Sequence, residues 1–277
     1  MKYTSSLMLV LLLIIACEEE AKDAIVDETV LDWTNLDLSK DFETGSKYVL
    51  GVDPDQLNSG IEKAKNLDDF YAIAIVYKGR LIVEEYNYGD RSSRYSVWSV
   101  TKSIVSALFG QLIDESILDD EFVQMRSFYP FITDSLKKTI TVRNLLTMSS
   151  GLPDNTSYPS EDNSINFILE KKLLYDPGTY WNYTSAGTHI LSDILTKVTG
   201  QKAKDFAELN LFSKLSISSY IWEEDKEGVS NGGYGLQLRL VDMAKIGQLY
   251  LQNGKSDDDS IISPTWVLKS AEMSIPF

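Results

Sequence analysis

Residues 71–112 carry the clearest structural signal in the chain and read YAIAIVYKGRLIVEEYNYGDRSSRYSVWSVTKSIVSALFGQL. Two β-rich runs, Tyr71–Tyr77 and Arg80–Tyr86, flank Lys78-Gly79, and this pattern predicts a β-hairpin. From Ser99 onward, apolar residues recur at helical spacing, so a helix is predicted to begin there. A hairpin is therefore followed closely by a helix that starts on a serine.

Other helices are indicated by the residues at their ends. Asp53 followed by Pro54 is a typical N-cap and first helical residue, which predicts a helix to about Leu67. Gly200 is typical of the residue that follows a helix. Further helices are predicted over residues 142–148, where Thr141 is the N-cap, 185–198 and 240–253. A hairpin followed by a mainly helical stretch, without βαβ alternation, predicts an α+β fold.

The composition is that of a folded, acidic protein. The 277 residues carry a net charge of −15 at pH 7, with 43% hydrophobic and 11% aromatic residues. A surface of this charge repels phosphate backbones, so we expect no nucleic-acid partner. The chain has one histidine, His189, which excludes a multi-histidine metal site. It also has one cysteine, Cys17, so no intrachain disulfide can form. We expect His189 to be a packed or partly exposed helix residue, and the protein to need neither a metal nor an organic cofactor.

The N-terminal residues have the pattern of an export signal. Lys2 precedes an unbroken apolar run, Leu7–Ile15, which is shorter than the ~20 residues of a membrane span. The run ends at Ala16-Cys17, which resembles a bacterial lipobox. We therefore expect residues 1–16 to be a signal peptide, Cys17 to be lipidated, and residues 17–50 to form an acidic tether. This predicts a lipid-anchored protein of the cell envelope, on the periplasmic side or the outer surface of a Gram-negative membrane.

Ser99 and Lys102 form the pattern S-x-x-K. On a helix, residues three apart lie on one face, so Lys102 can reach the Ser99 hydroxyl and act as its base. The positive end of the helix dipole also favours an alkoxide or oxyanion there. Ser135 and Lys138 share this spacing, but they lie among charged residues with no apolar run behind them. The context therefore favours Ser99 as the nucleophile.

An aromatic loop, Asp176–Ser185, leads into the helix predicted from residue 185. Tyr183 is a candidate to pass a proton to a leaving group. Ser185 is a candidate to donate a hydrogen bond to the substrate or to Lys102. Packing beneath the loop is the simpler interpretation for its other aromatic residues.

Four segments match the motifs of one protein family. Ser99-Val-Thr-Lys102 resembles its first motif, and Val142–Leu152 resembles its LLTHTSGL segment. Pro177–Ser185 resembles its PG…F.YSN segment, and Gly235–Leu251 resembles GL..T..DMAKFGQLYL. Over residues 50–277 the chain thus resembles the serine β-lactamases and penicillin-binding proteins, together with the related esterases and 6-aminohexanoate-dimer hydrolases.

The resemblance implies a β-lactamase/transpeptidase-like fold, with an antiparallel sheet and a mainly helical region. It implies that Ser99 is the acylated nucleophile, Lys102 its base and Tyr183 the second-motif tyrosine, while Ser185 remains a candidate substrate-binding residue from its place in the loop. The second motif departs from the family pattern, because Tyr183-Thr184-Ser185 stands where Y-S-N or Y-A-N is common. Without the asparagine amide, an ester or amide substrate is favoured over a β-lactam or peptidoglycan.

The family's third motif, K-T-G or H-x-G, has no match after Ser185. The resemblance therefore predicts that the β-lactamase-related domain, residues 51–277, is incomplete at its C-terminus and lacks the last strands and helix. The predicted hairpin would then be a two-stranded ribbon, which is marginally stable alone. One of the two N–H donors of the oxyanion hole would also be missing, at a cost of ~10²–10³ in rate.

Three functions follow from these patterns. The leading one is a serine hydrolase that acts through an acyl-enzyme on a small ester or amide in the cell envelope, with peptidoglycan-derived compounds among the candidate substrates. The first alternative is a catalytically impaired or non-catalytic envelope lipoprotein that retains a partial fold. The second is a D-alanyl-D-alanine carboxypeptidase. The patterns leave the substrate and the oligomeric state open.

Overall fold

A computed structural model describes residues 32–48 and 51–272. Helices and strands are mixed, as the sequence predicts for an α+β fold. The described residues form two compact units. The hairpin unit contains residues 32–33, 42–48 and 51–89, and the helical unit contains residues 34–41 and 90–272.

The hairpin unit has one helix, α1 (Pro54–Lys65). The Asp53 side chain accepts hydrogen bonds from the backbone N–H groups of Asp55 and Gln56, which is the N-cap that the sequence predicts. Lys63 and Lys65 lie in the last turn, where positive charge is favourable at the negative end of the helix dipole.

The sheet of the hairpin unit contains the predicted hairpin, β2 (Ala72–Tyr77) and β3 (Arg80–Tyr86). Lys78 and Gly79 form its turn with positive φ angles of 47° and 79°, as a two-residue hairpin turn requires. A third strand, β1 (Glu43–Thr44), pairs parallel with β3, in the order β1-β3-β2. The prediction of a two-stranded ribbon is therefore wrong, because residues preceding α1 supply an additional short strand.

The helical unit contains the remaining elements. Its helices are α2 (Thr101–Asp114), α3 (Val142–Leu146), α4 (Ser164–Glu170), α5 (Ser185–Thr199), α6 (Ala203–Ala207), α7 (Leu240–Leu251) and α8 (Pro264–Ala271). Its strands are β4 (Arg94–Ser96), β5 (Tyr220–Trp222), β6 (Leu236–Arg239), β7 (Lys255–Ser256) and β8 (Asp259–Ser260). Shorter 3₁₀ or π turns join these elements.

Helix α5 lies at the centre of the helical unit and packs against α2, α3 and α4. Every residue from Ser185 to Leu195 is buried, so the helix is covered on all sides rather than along one stripe. Thr184 caps its first turn. Gly200, predicted from the sequence to follow this helix, ends it with a φ of 72°. Helix α2 is buried almost as fully, and Leu108 within it is 0% exposed. Truncation of Leu108 to Ala is expected to cost about 2–5 kcal/mol.

The small sheet β4-β6-β5 is not anticipated by the sequence patterns. Its strands have only three or four residues, too few for a clear alternation. All its pairs are antiparallel, and the backbone N–H of Val97 extends the ladder by donating to the Leu236 carbonyl at 3.0 Å. The end of β4 is therefore fixed immediately before Ser99.

Three predicted helix boundaries are corrected. The helix predicted from Ser99 begins at Thr101, because Trp98–Val100 forms a 3₁₀ turn first. Helix α3 ends at Leu146 rather than residue 148, and Met148 has a φ of 58° that no α-helix accommodates. Helix α7 ends at Leu251 rather than residue 253.

Part of the range 17–50, predicted as a tether, belongs to the helical unit. Leu38 is 1% exposed, and its N–H donates to Ser256 Oγ at 2.8 Å. The predicted signal peptide and Cys17 lie outside the described residues. Within residues 32–48 and 51–272, no helix has the length and apolarity needed to cross a bilayer.

Candidate active site

Ser99 lies in the 3₁₀ turn between β4 and α2, and its side chain is exposed. The preceding residue, Trp98, has a φ of 45°, a conformation that a bulky residue rarely adopts. The turn is held on both sides, since Thr101 Oγ1 donates to the Trp98 carbonyl at 2.6 Å and Val97 belongs to the β4–β6 ladder. Backbone strain of this kind is concentrated at functional sites. The turn presents the Ser99 hydroxyl at a sharp strand-to-helix corner.

Lys102 points its amine at three oxygens. Its Nζ lies 3.1 Å from Ser99 Oγ, 3.2 Å from Ser185 Oγ and 2.6 Å from the carbonyl of Gly233. The predicted proximity of Lys102 to Ser99 is therefore present. The serine comes from the turn before α2, Ser185 from the start of α5, and Gly233 from a loop before β6.

Tyr183 lies on the other side of the Ser99 hydroxyl. Its phenol donates to Ser99 Oγ at 2.6 Å, and Lys102 Nζ lies 4.8 Å from the centre of its ring. Burial raises the pKa of Tyr183, but hydrogen bonds with Lys102 and Ser99 and the charge of Lys102 lower it by more. The net result is a pKa below the ordinary value of a tyrosine. Tyr183 is thus poised to exchange a proton with Ser99 or with a group attached to it.

Ser185 is the first residue of α5 and is 5% exposed. Its N–H donates to Asp154 Oδ1 at 2.7 Å, which places a carboxylate at the positive end of the helix. Since Lys102 is directed at Ser185 Oγ, the Ser185 hydroxyl hydrogen is free to be donated elsewhere. The structure therefore brings together all four residues selected from the sequence, Ser99, Lys102, Tyr183 and Ser185.

Sequence reasoning missed Gly233, which supplies the shortest of the three Lys102 contacts. The signal was the pair Gly232-Gly233, which lies between two predicted elements. A Cβ on Gly232 would lie 2.2 Å from the Thr188 carbonyl oxygen, and one on Gly233 would lie 2.8 Å from Ser185 Cβ. Only glycines allow this loop to lie so close to α5.

His189 is fully buried on α5, and its side-chain hydrogen bonds are with Asp225, Ser164 and the backbone of Gly232. Its Nε2 lies 3.0 Å from Asp225 Oδ2 and 3.1 Å from Ser164 Oγ. The prediction of a packed helix histidine is therefore confirmed. Although the cluster contains a serine, a histidine and an aspartate, all three residues are buried, so no substrate can reach this serine.

No group of three or more His, Cys, Asp or Glu side chains that could hold a metal ion occurs in the part of the chain that the structure describes. The groups that meet at the site are the Ser99 hydroxyl, the Lys102 amine and the Tyr183 phenol. Such a set can attack a carbonyl carbon through the serine and move the protons with the other two groups.

The fold and the site can now be compared with known proteins. The sequence model of the family described as Beta-lactamase matches residues 70–254, a range that includes all the site residues. The 6-aminohexanoate-dimer hydrolase of Paenarthrobacter ureafaciens is 24% identical over 218 residues, which cover 70% of this chain and 55% of that protein. The chain thus spans about half the length of this curated relative.

Two solved structures resemble this one closely in fold. A putative 6-aminohexanoate-dimer hydrolase from Bacillus anthracis superimposes with a TM-score of 0.69 at 19% identity, covering 87% of this chain and 70% of that one. A putative beta-lactamase from Bacteroides dorei DSM 17855 has a TM-score of 0.67 at 21% identity, covering 78% of this chain and 68% of that one.

The octameric penicillin-binding protein homologue from Pyrococcus abyssi has a TM-score of 0.66 at 21% identity, covering 82% of this chain and 61% of that one. These likenesses confirm the β-lactamase/transpeptidase-like fold that the sequence motifs imply. Because the family model also spans the whole serine, lysine and tyrosine constellation, the chain belongs to the beta-lactamase family.

Proposed function

We propose that this protein is a serine hydrolase that cleaves a small ester or amide through an acyl-enzyme. The observation that carries the proposal is the convergence of Lys102 Nζ, at 3.1 Å, and the Tyr183 phenol, at 2.6 Å, on the hydroxyl of Ser99. A serine hydroxyl is a weak nucleophile until a neighbouring base accepts its proton, and this arrangement supplies such a base.

In the proposed first half-reaction, Ser99 Oγ attacks the substrate carbonyl carbon while Lys102 accepts the hydroxyl proton. The C–O or C–N bond to the leaving group breaks as Tyr183 passes a proton to the departing atom, and Lys102 reprotonates the phenol. The product is an ester between the acyl group and Ser99. In the second half-reaction, water attacks this ester, and the same groups return the proton to Ser99.

Two observations support an ester or an open-chain amide as the substrate. Ser185 stands where the family pattern has an asparagine, so the site offers a hydroxyl rather than an amide group. The Paenarthrobacter ureafaciens relative is named for hydrolysis of a 6-aminohexanoate dimer. No metal ion or organic cofactor takes part in the proposed reaction.

Trapping of the acyl-enzyme tests this proposal. We expect a fluorophosphonate to add one adduct mass to the protein, and chromogenic p-nitrophenyl esters to be hydrolysed. Ser99→Ala should abolish both, while Ser135→Ala, the same substitution in the second S-x-x-K segment, should abolish neither. Turnover by Ser99→Ala equal to that of the unmodified protein would refute the proposal.

The substrate alternatives are resolved by the products. Release of D-alanine from a muropeptide by the protein, but not by Ser99→Ala, would identify a D-alanyl-D-alanine carboxypeptidase. A folded protein that forms no adduct with a fluorophosphonate or a fluorescent penicillin would identify the non-catalytic envelope lipoprotein.

We propose further that the protein is lipid-anchored in the cell envelope through Cys17. The apolar run followed by the only cysteine of the chain supports this location. A diacylated cysteine with an added N-acyl chain anchors stably, because each buried CH₂ contributes ~0.8 kcal/mol. In the native bacterium we expect the membrane fraction to contain the protein, with a palmitate label that Cys17→Ala lacks. An unlabelled protein in the soluble fraction would refute the anchor.

A further inference from the structure

The carbonyl that holds Lys102 comes from a loop. Gly233 lies in the segment Asn231–Gly235, which we call the glycine loop, between β5 and β6. Its carbonyl oxygen lies 2.6 Å from Lys102 Nζ. Glycine has no Cβ to restrict its backbone, so the direction of this carbonyl must be fixed by something outside the residue itself.

The side chain of Asn231 provides that restraint. Asn231 is 1% exposed, and its Oδ1 accepts hydrogen bonds from the N–H of Tyr234 at 3.3 Å and the N–H of Gly233 at 3.0 Å. The Tyr158 phenol is the third donor to this oxygen, at 2.6 Å. The pKa of Tyr158 is raised well above its ordinary value, chiefly by burial, so this phenol remains protonated and continues to donate.

The geometry of one peptide bond links Asn231 to Lys102. The Gly233 carbonyl and the Tyr234 N–H belong to the same planar, trans peptide, so they point in opposite directions. The N–H is directed at Asn231 Oδ1, and the carbonyl is directed at Lys102 Nζ. Holding one end of this peptide plane therefore fixes the other end.

The backbone of the glycine loop is anchored as well. Asn231 donates its N–H to the Glu223 carbonyl at 2.8 Å and accepts from Trp222 Nε1 at 2.9 Å. The N–H of Gly232 donates to His189 Nδ1 at 3.4 Å, which leaves the ring proton on Nε2, facing Asp225 Oδ2 at 3.0 Å. The buried His189–Asp225 pair thus supports the glycine loop from beneath.

We propose that Asn231, assisted by Tyr158, is a positioning residue that aims the base of this enzyme at its nucleophile. A neutral lysine has two N–H donors and one lone pair. When Gly233 and Ser185 accept the two N–H donors, the lone pair faces the third neighbour, Ser99 Oγ. If the Gly233–Tyr234 peptide turns away, the amine loses one of the two restraints that orient it. This role rests on the function proposed for Ser99 and Lys102.

The test compares two buried phenols. Tyr158→Phe removes one donor to Asn231, while Tyr129→Phe removes an equally buried phenol that donates to Asp193 Oδ2 at 2.7 Å. We expect both variants to lose similar thermal stability. Only Tyr158→Phe should slow acylation by a fluorophosphonate, by about 3- to 10-fold. Equal acylation rates for the two variants would overturn the proposal.

Asn231 itself gives the larger effect. Asn231→Ala removes the acceptor. We expect kcat for a p-nitrophenyl ester to fall by about 10- to 100-fold while KM stays nearly constant, since displacements near 1 Å at a reacting group cost up to 10². Asn231→Asp keeps an oxygen acceptor for the same donors and should restore the rate to within about 3-fold of the unmodified protein. An Asn231→Asp variant as slow as Asn231→Ala would contradict a positioning role.

A crystal structure of Asn231→Ala, or of Tyr158→Phe if the former does not fold, decides the proposal independently of activity. We expect the distance between Lys102 Nζ and the Gly233 carbonyl oxygen to exceed hydrogen-bonding range. An unchanged contact in the variant would overturn the positioning role. Failure of the unmodified protein to form any adduct would refute the proposed function instead, and the crystal structure would still report on the peptide plane.

Discussion

Two stretches of the chain share the S-x-x-K spacing and differ in their surroundings. Ser99 and Lys102 lie in hydrogen-bonding distance of each other, in contact with Tyr183 and Ser185. Ser135 is exposed, and no hydrogen bond joins it to Lys138 within residues 32–48 and 51–272. The backbone there forms a turn in which Asp134 Oδ1 accepts the N–H of Leu136 at 2.9 Å.

The difference lies in what each lysine-bearing segment faces. The first motif opens a buried helix, and two other segments, the start of α5 and the glycine loop, bring acceptors to its lysine. In the second motif, Ser135 to Lys138, the buried lysine is the neighbouring Lys137. Its Nζ donates to the Leu169 carbonyl at 2.7 Å instead of approaching a serine. Spacing therefore places two residues on one face, but long-range packing turns that face into a site.

The largest expected effect separates the two serines. Ser99→Ala should lower the rate of ester hydrolysis by about 10⁴-fold or more, because the nucleophile of a cooperating set accounts for most of its rate enhancement. Ser135→Ala should leave the rate within about 2-fold. Initial rates with a p-nitrophenyl ester measure both, and comparable losses in the two variants would erase the distinction between the motifs.

The two lysines should differ almost as much. Lys102→Met keeps the length of the side chain and removes the amine, and we expect acylation to slow by about 10³-fold, within the 10²–10⁴ range of general-base catalysis. Lys138→Met should have no measurable effect. Single-turnover adduct formation, followed by intact mass, measures this step, and rapid acylation of Lys102→Met would exclude Lys102 as the base.

Tyr183 has no counterpart at the second motif. Tyr183→Phe should lower the rate by about 10²-fold, while Tyr180→Phe, on an exposed neighbour that stacks against Tyr175, should not change it. Since the pKa of Tyr183 is lowered, its deprotonation should reduce activity at a pH below the ordinary value of about 10 for tyrosine. The pH–rate profile of Tyr183→Phe should lack this alkaline limb, and a profile with the limb unchanged would assign it to another group.

The smallest effect concerns the buried His189–Asp225 pair, which supports the glycine loop. Burial raises the pKa of Asp225, but hydrogen bonds from His189, Ser164 and Val229 lower it by more, so the folded-state pKa lies below the unfolded value. The contribution of ionised Asp225 to folding stability is therefore present above about pH 4, and it is lost as the pH falls through the lowered folded-state pKa.

We expect Asp225→Asn to cost about 1–3 kcal/mol at pH 7, the typical cost of disturbing a buried hydrogen-bonded group. The difference from the unmodified protein should shrink below about pH 4. Chemical denaturation at several pH values measures it. Asp162→Asn, at an exposed ion pair with Lys226, is the control and should leave stability unchanged. A stability difference for Asp225→Asn that does not vary with pH would exclude its ionisation as the cause.

The sequence predicts the elements whose signals are local. The hairpin turn, the Asp53 N-cap and the ends of α5 all depend on residues within a few positions of one another, and all are present. The strands β4, β5 and β6 were not predicted, because their short segments are defined by pairing between residues far apart in the chain.

The same distinction holds for the site. Ser99 and Lys102 are three residues apart, and Tyr183 and Ser185 lie in one aromatic loop that leads into a helix, so all four were predicted from local sequence. Gly233 and Asn231 act through a backbone carbonyl and a buried amide, which leave no spacing pattern with Lys102, 131 residues away from Gly233. Only the folded chain brings them together.

Locating the acyl adduct tests the central claim most directly. After reaction with a fluorophosphonate and proteolysis, tandem mass spectrometry should find the adduct on Ser99, in the segment between Arg94 and Lys102. Ser99→Ala should yield no adduct at any residue, and Ser135→Ala should be labelled as fully as the unmodified protein. An adduct on another serine, or full labelling of Ser99→Ala, would contradict the identification of Ser99 as the nucleophile.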